Sequence, residues 1–320
     1  MKALCFDRFG GPEVLEYREL PDPIPAPGEA LVRTCAIGLN FADLYRRRGN
    51  YHLAGTPPYI PGYEAAGVIE NPGGGPFPAG ARVAFADSPF ANAELVAVPF
   101  EKLIPLPDPI SFETAAALLL QGLTAQYLVR DSHPLRAGEE VLVHAAAGGV
   151  GLLLVQISKL LGARVVGLTS SEAKGEAALQ AGAESVLTYT PEWPRQVRAF
   201  SRSGEGVDVA FDSVGSTLMD SFRAVRTGGH VVFFGMAGGD PAPVDPRMLM
   251  DTSKSLTGGD LWNVLTSSEA RIQRAGELFS WVLDGRLQVN IGRAFPLAQG
   301  RSAHTFLETR SAIGKVLLIP

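Results

Sequence analysis

"HAAAGGVGLLLVQISKLLGARVVGLTS", His144–Ser170, is the stretch whose reading decides the fold. It follows the apolar run "EVLV", turns through Gly148, Gly149 and Gly151, and continues as a helical pattern that stops at Gly162. "ARVVGLTS" then reads as a second short, buried strand, so the whole is one strand–helix–strand unit. Within it, Ala146-Ala147-Gly148-Gly149-Val150-Gly151 nearly matches the G-x-G-x-x-G fingerprint of a dinucleotide-binding turn, with Ala146 in place of the first glycine. A diphosphate has to approach the backbone closely at a helix N-terminus, where N–H groups and the helix dipole favour negative charge. Gly148 and Gly149, with Val150 beside them, leave room for that approach, and Gly151 lets the helix pack against its strand. Ala146 is small enough for a turn that does not demand positive φ.

The end of the second strand bears on which nucleotide is meant. An NAD site places a carboxylate there to bond the ribose 2′-OH; this chain has Thr169, Ser170 and Ser171. Their hydroxyls can donate to a 2′-phosphate, and Lys174, one turn later, can add a positive charge. Glu172 speaks against this as a late substitute for the acid, and Lys174 can also be read as an ordinary exposed helix lysine. The balance favours NADPH.

Short apolar strands and helices alternate outward from this unit. "SFETAAALLLQGLTAQYLVRD" reads as a helix with a serine cap before it. "SEAKGEAALQAG", "SVLTY", a helix near Pro194–Arg202, "GVDVAFDSV" and "HVVFFG" follow, and the pattern persists to "SLTGGDL". Alternation of this kind means a parallel sheet covered on both faces. The first hundred residues differ, with β-rich runs broken by "PDPIPAPGE" and "NPGGGPFPAG" and one helix at "NFADLYRRRG". A helix "SSEARIQRAGELFSWVLDG" and a β-rich tail close the chain. The expected class is α/β, with a doubly wound nucleotide-binding domain over 121–262 set between two parts, 1–120 and 263–320, of a β-rich domain.

Hydrophobic residues make up 46% and charged residues 19%, the balance of a globular protein. A net charge of -5 gives no electrostatic footprint for nucleic acid or an anionic membrane. The most apolar stretch, Val141–Ile157, is interrupted by His144, three glycines and Gln156, short of the roughly 20 apolar residues of a membrane span. No signal peptide is visible, and the expected location is the cytoplasm. Cys5 and Cys35 are not spaced as a C-x-x-C pair and read as free thiols. Arg46, Arg47 and Arg48 read as a solvated helix face, with a phosphate-facing role as the alternative.

"GLNFADLYRRRGNY", "PGYEAAGVI", "AAALLLQGLTAQYL", "HAAAGGVG", "AGAESVLTY", "FDSVG" and the terminal "GKVLLIP" run from Gly38 to Pro320. In that order they resemble the zinc-free quinone oxidoreductases, relatives of zeta-crystallin in the medium-chain dehydrogenase/reductase superfamily. The resemblance implies a GroES-like β-domain completed by the C-terminal tail, a Rossmann domain, and the cofactor in the cleft between. Zinc-dependent members carry a cysteine where this chain has Asn40 and a histidine where it has Tyr63, and the cysteine-rich lobe is missing. The histidines at 52, 133, 144, 230 and 304 are scattered along the chain. His144 is read as a packing or hydrogen-bonding residue, and no metal is expected.

Without a Lewis acid, a quinone is an easier hydride acceptor than an unactivated ketone, because the product anion is delocalised over an aromatic ring. Asn40, Tyr45 and Tyr51 are the candidates for lining the acceptor pocket. Asn40 can bond a ribose hydroxyl or the acceptor oxygen, and either tyrosine can donate to that oxygen, with plain packing as the alternative. Asp43 and Glu64 are taken as structural. The resemblance further implies Thr124 near the nicotinamide, Tyr189 near the adenine end, and Ser213, Val214, Gly215, Phe234, Gly235 and Met236 along the cofactor cleft. Lys315 is a second contact from the β-domain or a surface lysine. An NADPH-dependent reductase of α,β-unsaturated carbonyls is the nearest alternative activity, and a non-catalytic, crystallin-like nucleotide binder is the other. A homodimer is expected through the sheet edge near "HVVFFG" and "SLTGGDLW", burying Leu256 and Leu261.

Overall fold

A computed structural model describes residues 1–51 and 55–320, so His52 lies outside the described residues. The chain falls into two compact units, Met1–Leu120 with Leu265–Gly285 and Val289–Pro320, and Gln121–Val264 with Arg286–Gln288.

In chain order the β-rich unit begins with β1 (Lys2–Cys5), β2 (Glu16–Glu19), β3 (Glu29–Leu39) and α1 (Phe41–Arg48). It continues with β4 (Ala65–Asn71), β5 (Arg82–Phe85), β6 (Leu95–Pro99) and β7 (Ile104–Pro105), and α2 (Phe112–Tyr127) contains the division. The second unit holds β8 (Glu140–Val143), α3 (Gly149–Leu160), β9 (Arg164–Thr169), α4 (Glu172–Ala181), β10 (Ser185–Thr188) and α5 (Trp193–Phe200). After these come β11 (Val207–Asp212), α6 (Leu218–Ala224), β12 (Val225–Phe233), α7 (Pro246–Thr252), β13 (Ser255–Gly258) and α8 (Leu261–Val264). The chain returns to the first unit through α9 (Ser268–Leu283), β14 (Ile291–Pro296), α10 (Gly300–Glu308) and β15 (Lys315–Ile319).

The β-rich unit is organised around β3, which pairs antiparallel with β15, β4 and β6 in a sheet of path β14-β15-β3-β4-β5-β7. Leu4, Phe6, Ile37, Leu39, Phe85, Val316 and Leu318 form its core. α1 starts where the Asn40 N–H donates to Asp43 Oδ2 at 2.8 Å, and it stops at Gly49, whose φ of 85° is the left-handed conformation that favours glycine. Arg46 and Arg47 on this helix are fully buried, which corrects the reading of the arginine triplet as a solvated face; only Arg48 is exposed. Arg47 reaches Glu308 and His304 of α10, and the Arg46 guanidinium sits 5.1 Å from the Phe90 ring centroid. Burial of both is tolerated because each charge meets a carboxylate, an imidazole or an aromatic face.

The second unit is a six-stranded, wholly parallel sheet of order β10-β9-β8-β11-β12-β13. The chain winds outward from β8 to β10 and then restarts on the other side with β11. The order therefore reverses between β8 and β11, and the loops following these two strands flank the crevice where open α/β sheets bind ligands. His230–Phe233 of "HVVFFG" lie on β12, which is paired on both sides, so among the described residues the sheet edge on that side is β13 alone. Leu261 is already buried in the single chain, which removes it from the apolar area a dimer would gain.

Candidate functional site

The glycine turn lies between β8 and α3. Ala145 has φ 47°, an uncommon value for a residue with a side chain, and its carbonyl accepts from Gly148 N at 2.8 Å. Ala146 N donates to Leu168 O at 2.9 Å, and its methyl fills the space above Gly167, where a Cβ would come within 2.8 Å of it. The first helical bond is Leu152 N to Gly148 O, so the N–H groups of Gly149, Val150 and Gly151 have no acceptor within the helix. Gly148 caps α3 without a side-chain hydrogen bond. A Cβ on Gly151 would lie 2.3 Å from Ala145 O, whereas one on Gly149 would meet the flexible Gln121 side chain at 3.2 Å. Gly151 is therefore fixed by the packing of helix on turn, and Gly149 by the openness of the approach.

The rim beyond β9 is polar. Thr169 is buried and donates to Ser171 O at 3.1 Å. Ser170 is exposed and accepts from Lys174 Nζ at 3.0 Å. Glu172 is the first residue of α4 and is exposed.

Behind the turn lies a largely buried polar chain, of which the sequence marked His144 as a packing or hydrogen-bonding residue and Tyr189 as a cofactor contact without joining them. Tyr189 OH accepts from Ala145 N at 2.9 Å and is 3.4 Å from His144 Nδ1; His144 Nε2 is 2.9 Å from Ser221 Oγ, which is 2.7 Å from Asp212 Oδ2. Asp212 Oδ1 accepts from Val214 N and Gly215 N at 2.8 and 3.0 Å. Burial lowers the His144 imidazole below its usual range and keeps it neutral. Burial would raise the Asp212 carboxyl, yet His144, Ser221 and the two backbone N–H groups hold it below the usual range. The signal available in the sequence was the acid of "FDSVG" at the end of an apolar strand. Ser213, Val214, Phe234, Gly235 and Met236 are half-buried at the same edge of the sheet, and Thr124 is buried in α2.

In the β-rich unit the structure brings together Asn40 and Lys315, 275 residues apart. Lys315 Nζ donates to Asn40 Oδ1 at 2.8 Å and to Glu64 Oε2 at 2.6 Å, and Asn40 Nδ2 donates to Gly38 O and Glu64 Oε2. Lys315 is thus buried, not a surface lysine, and two of its three donors are committed. Burial lowers its ammonium, with Glu64 and Asp43 opposing. Burial raises the Asp43 carboxyl to about 7 against the Asn40 N–H and Lys315. Tyr45, Tyr51 and Tyr63 form an edge-to-face series with centroids 5.9 and 6.1 Å apart, leaving Tyr51 half-buried at its middle.

The donor set does not fit zinc. Asn40 Oδ1 and Glu64 Oε2 are engaged by an ammonium, and an amide and a phenol stand where thiolate or imidazole ligands would be needed. His133 and His230 meet at 3.0 Å between Nδ1 atoms, with Glu139 and Thr257 on their outer nitrogens. Among the described residues no group of three metal-capable side chains converges.

A family model described as alcohol dehydrogenase GroES-like domain matches residues 26–135, and one described as zinc-binding dehydrogenase matches residues 149–279. A quinone oxidoreductase of Pseudomonas aeruginosa is 40% identical over 324 residues, covering 100% of this chain and 99% of that protein. A 2-haloacrylate reductase of Burkholderia is 36% identical over 329 residues, covering 99% and 98%. The crystal structure of Escherichia coli quinone oxidoreductase complexed with NADPH superposes with a TM-score of 0.95 at 36% identity, covering 100% of both chains. A GroES-like β-unit and a Rossmann unit with a glycine turn at the switch point define a medium-chain dehydrogenase/reductase. Within that superfamily, the chain belongs to the quinone oxidoreductase family.

Proposed function

We propose that this protein is an NADPH-dependent quinone reductase acting without metal. The observation that carries the reading is the glycine turn opening α3, followed at the end of β9 by Ser170, Ser171 and Lys174 with no carboxylate at the strand end. When bound, NADPH supplies a hydride from its dihydronicotinamide, and the acceptor takes its balancing proton from water. The N–H groups of Gly149, Val150 and Gly151 bind the diphosphate. Ser170, Ser171 and Lys174 hold the 2′-phosphate by charge-assisted bonds. Thr124, Tyr189 and the segments 213–215 and 234–236 complete the cofactor contacts. Asn40 keeps one amide geometry because Lys315 and Glu64 fix its oxygen and nitrogen, and Tyr45 and Tyr51 orient the acceptor oxygen.

The proposal includes a small-molecule acceptor, a cytoplasmic location and a homodimer paired through β13. No helix among the described residues is long and apolar enough to cross a membrane. Steady-state turnover with a series of quinones and enones, with NADPH and then NADH, tests the activity. Quinone reduction with a clear NADPH preference is expected. Turnover of enones alone would move the acceptor class, and equal use of NADH would overturn the rim assignment. Light scattering at micromolar concentration should give twice the chain mass.

A further inference from the structure

The buried chain behind the glycine turn has a proton arrangement that its geometry determines. Asp212, ionised, can only accept. Ser221 Oγ lies 2.7 Å from Asp212 Oδ2, so its single proton points there. Ser221 Oγ must then accept from His144 Nε2 at 2.9 Å. A neutral imidazole that donates from Nε2 accepts at Nδ1, which faces Tyr189 OH at 3.4 Å. The Tyr189 hydroxyl donates to that nitrogen while its oxygen accepts the Ala145 N–H. At the other end, Asp212 Oδ1 gathers the N–H groups of Val214 and Gly215, and Thr217 Oγ1 donates to Oδ2 at 2.8 Å.

One directed line of hydrogen bonds thus runs from the loop after β8 to the loop after β11, the two loops that flank the switch point. Its ends are backbone groups of the loops themselves. Ala145, in its left-handed conformation, is held there by the Tyr189 oxygen on its N–H. Trp193 packs edge-on against the imidazole at 5.2 Å and 87°, so contact with Trp193 and hydrogen bonding together hold the ring orientation.

We propose that His144 is a positioning residue for the bound cofactor, keying these two loops so that both present their backbone to one ligand. This rests on the NADPH reading above. His144 and Ser221 are fully buried, so any effect of either on NADPH affinity has to be transmitted through the loops.

Fluorescence titration with NADPH, first on the unaltered protein, is the test. His144→Leu preserves bulk and removes both hydrogen bonds; it should raise the NADPH Kd about tenfold. The KM for NADPH should follow, while kcat at saturating NADPH stays within about twofold. His144→Gln, which keeps a donor toward Ser221, should recover part of the loss. Ser221→Ala removes one fully buried oxygen and carries the test even if His144→Leu does not fold; Tyr189→Phe, at a residue also assigned to the cofactor, serves in combination with Ser221→Ala. Because the relay acts as a unit, their double variant should bind little worse than the weaker single variant. Unchanged Kd values with a lowered Tm, or strictly additive losses, would overturn the relay while leaving the NADPH reading intact. Absence of NADPH binding by the unaltered protein would overturn both.

Discussion

The β-rich unit buries a full ion pair, Lys315 with Glu64, whereas the Rossmann unit sets the buried Asp212 carboxylate among neutral donors. In the first, the lysine and its acid answer each other, and Asn40 is clamped on both sides by their charge. In the second, the Asp212 charge is spread over two backbone N–H groups and two hydroxyls, so no single donor is indispensable. The contrast shows two ways of fixing polar groups in a dry interior. An ion pair holds one side chain rigidly and fails abruptly when a partner is lost. A neutral relay couples several backbone positions, so the loss of one link is felt along the whole line.

The largest expected effect lies in the ionic network. Lys315→Met leaves the Glu64 carboxylate buried without its cation and should cost about 3–5 kcal/mol in urea unfolding. The double variant Glu64→Gln/Lys315→Met should recover a large part. If the double variant were no more stable than Lys315→Met, the pair would not be the source of the loss.

On the cofactor rim the effect is smaller and shows in binding. Lys174→Ala removes the cation beside Ser170 and with it the proposed charge-assisted contact, worth roughly 1.5–3 kcal/mol, so the NADPH Kd should rise about tenfold. NADH affinity should hardly move. Equal weakening of both cofactors in paired titrations would break the assignment.

The glycine turn gives an internal comparison. A Cβ at position 151 meets the Ala145 carbonyl at 2.3 Å, so Gly151→Ala should destabilise by about 1–3 kcal/mol. Gly149→Ala meets only the end of Gln121 and should cost clearly less in thermal unfolding. Equal losses would mean that the turn, and not the close helix contact, sets the requirement.

A last effect, spread over several pH units, is a slope in stability. His304 is buried beside Arg47, and burial together with that charge lowers its pKa from 6.5 to about 3. Between those values the unfolded chain binds a proton that the native chain refuses, so stability falls as pH falls, by at most about 1.4 kcal/mol per unit. His144, lowered in the same direction, adds to the slope. His304→Gln should flatten the acid side of the stability–pH curve measured by denaturant titration; an unchanged slope would assign it to other groups.

The sequence by itself determined what is written locally. The alternation of apolar strands with helices, the glycine turn at 148–151 and the absence of an acid at 169–171 are short-range patterns, and each dictates local backbone geometry or local charge. The parallel sheet and the family motifs were legible for that reason. Only the tertiary structure decided what the isolated charges do. Arg46 and Arg47 look like a wet helix face until the Phe90 and Tyr63 rings meet the first and α10 supplies Glu308 and His304 to the second. Lys315 looks like a surface residue until β15 pairs beside β3 and sets it 2.6 Å from Glu64. His144 finds Ser221, 77 residues on, because β8 and β11 are neighbours across the switch point. A buried polar group takes its meaning from its partner, and topology, not spacing along the chain, chooses that partner.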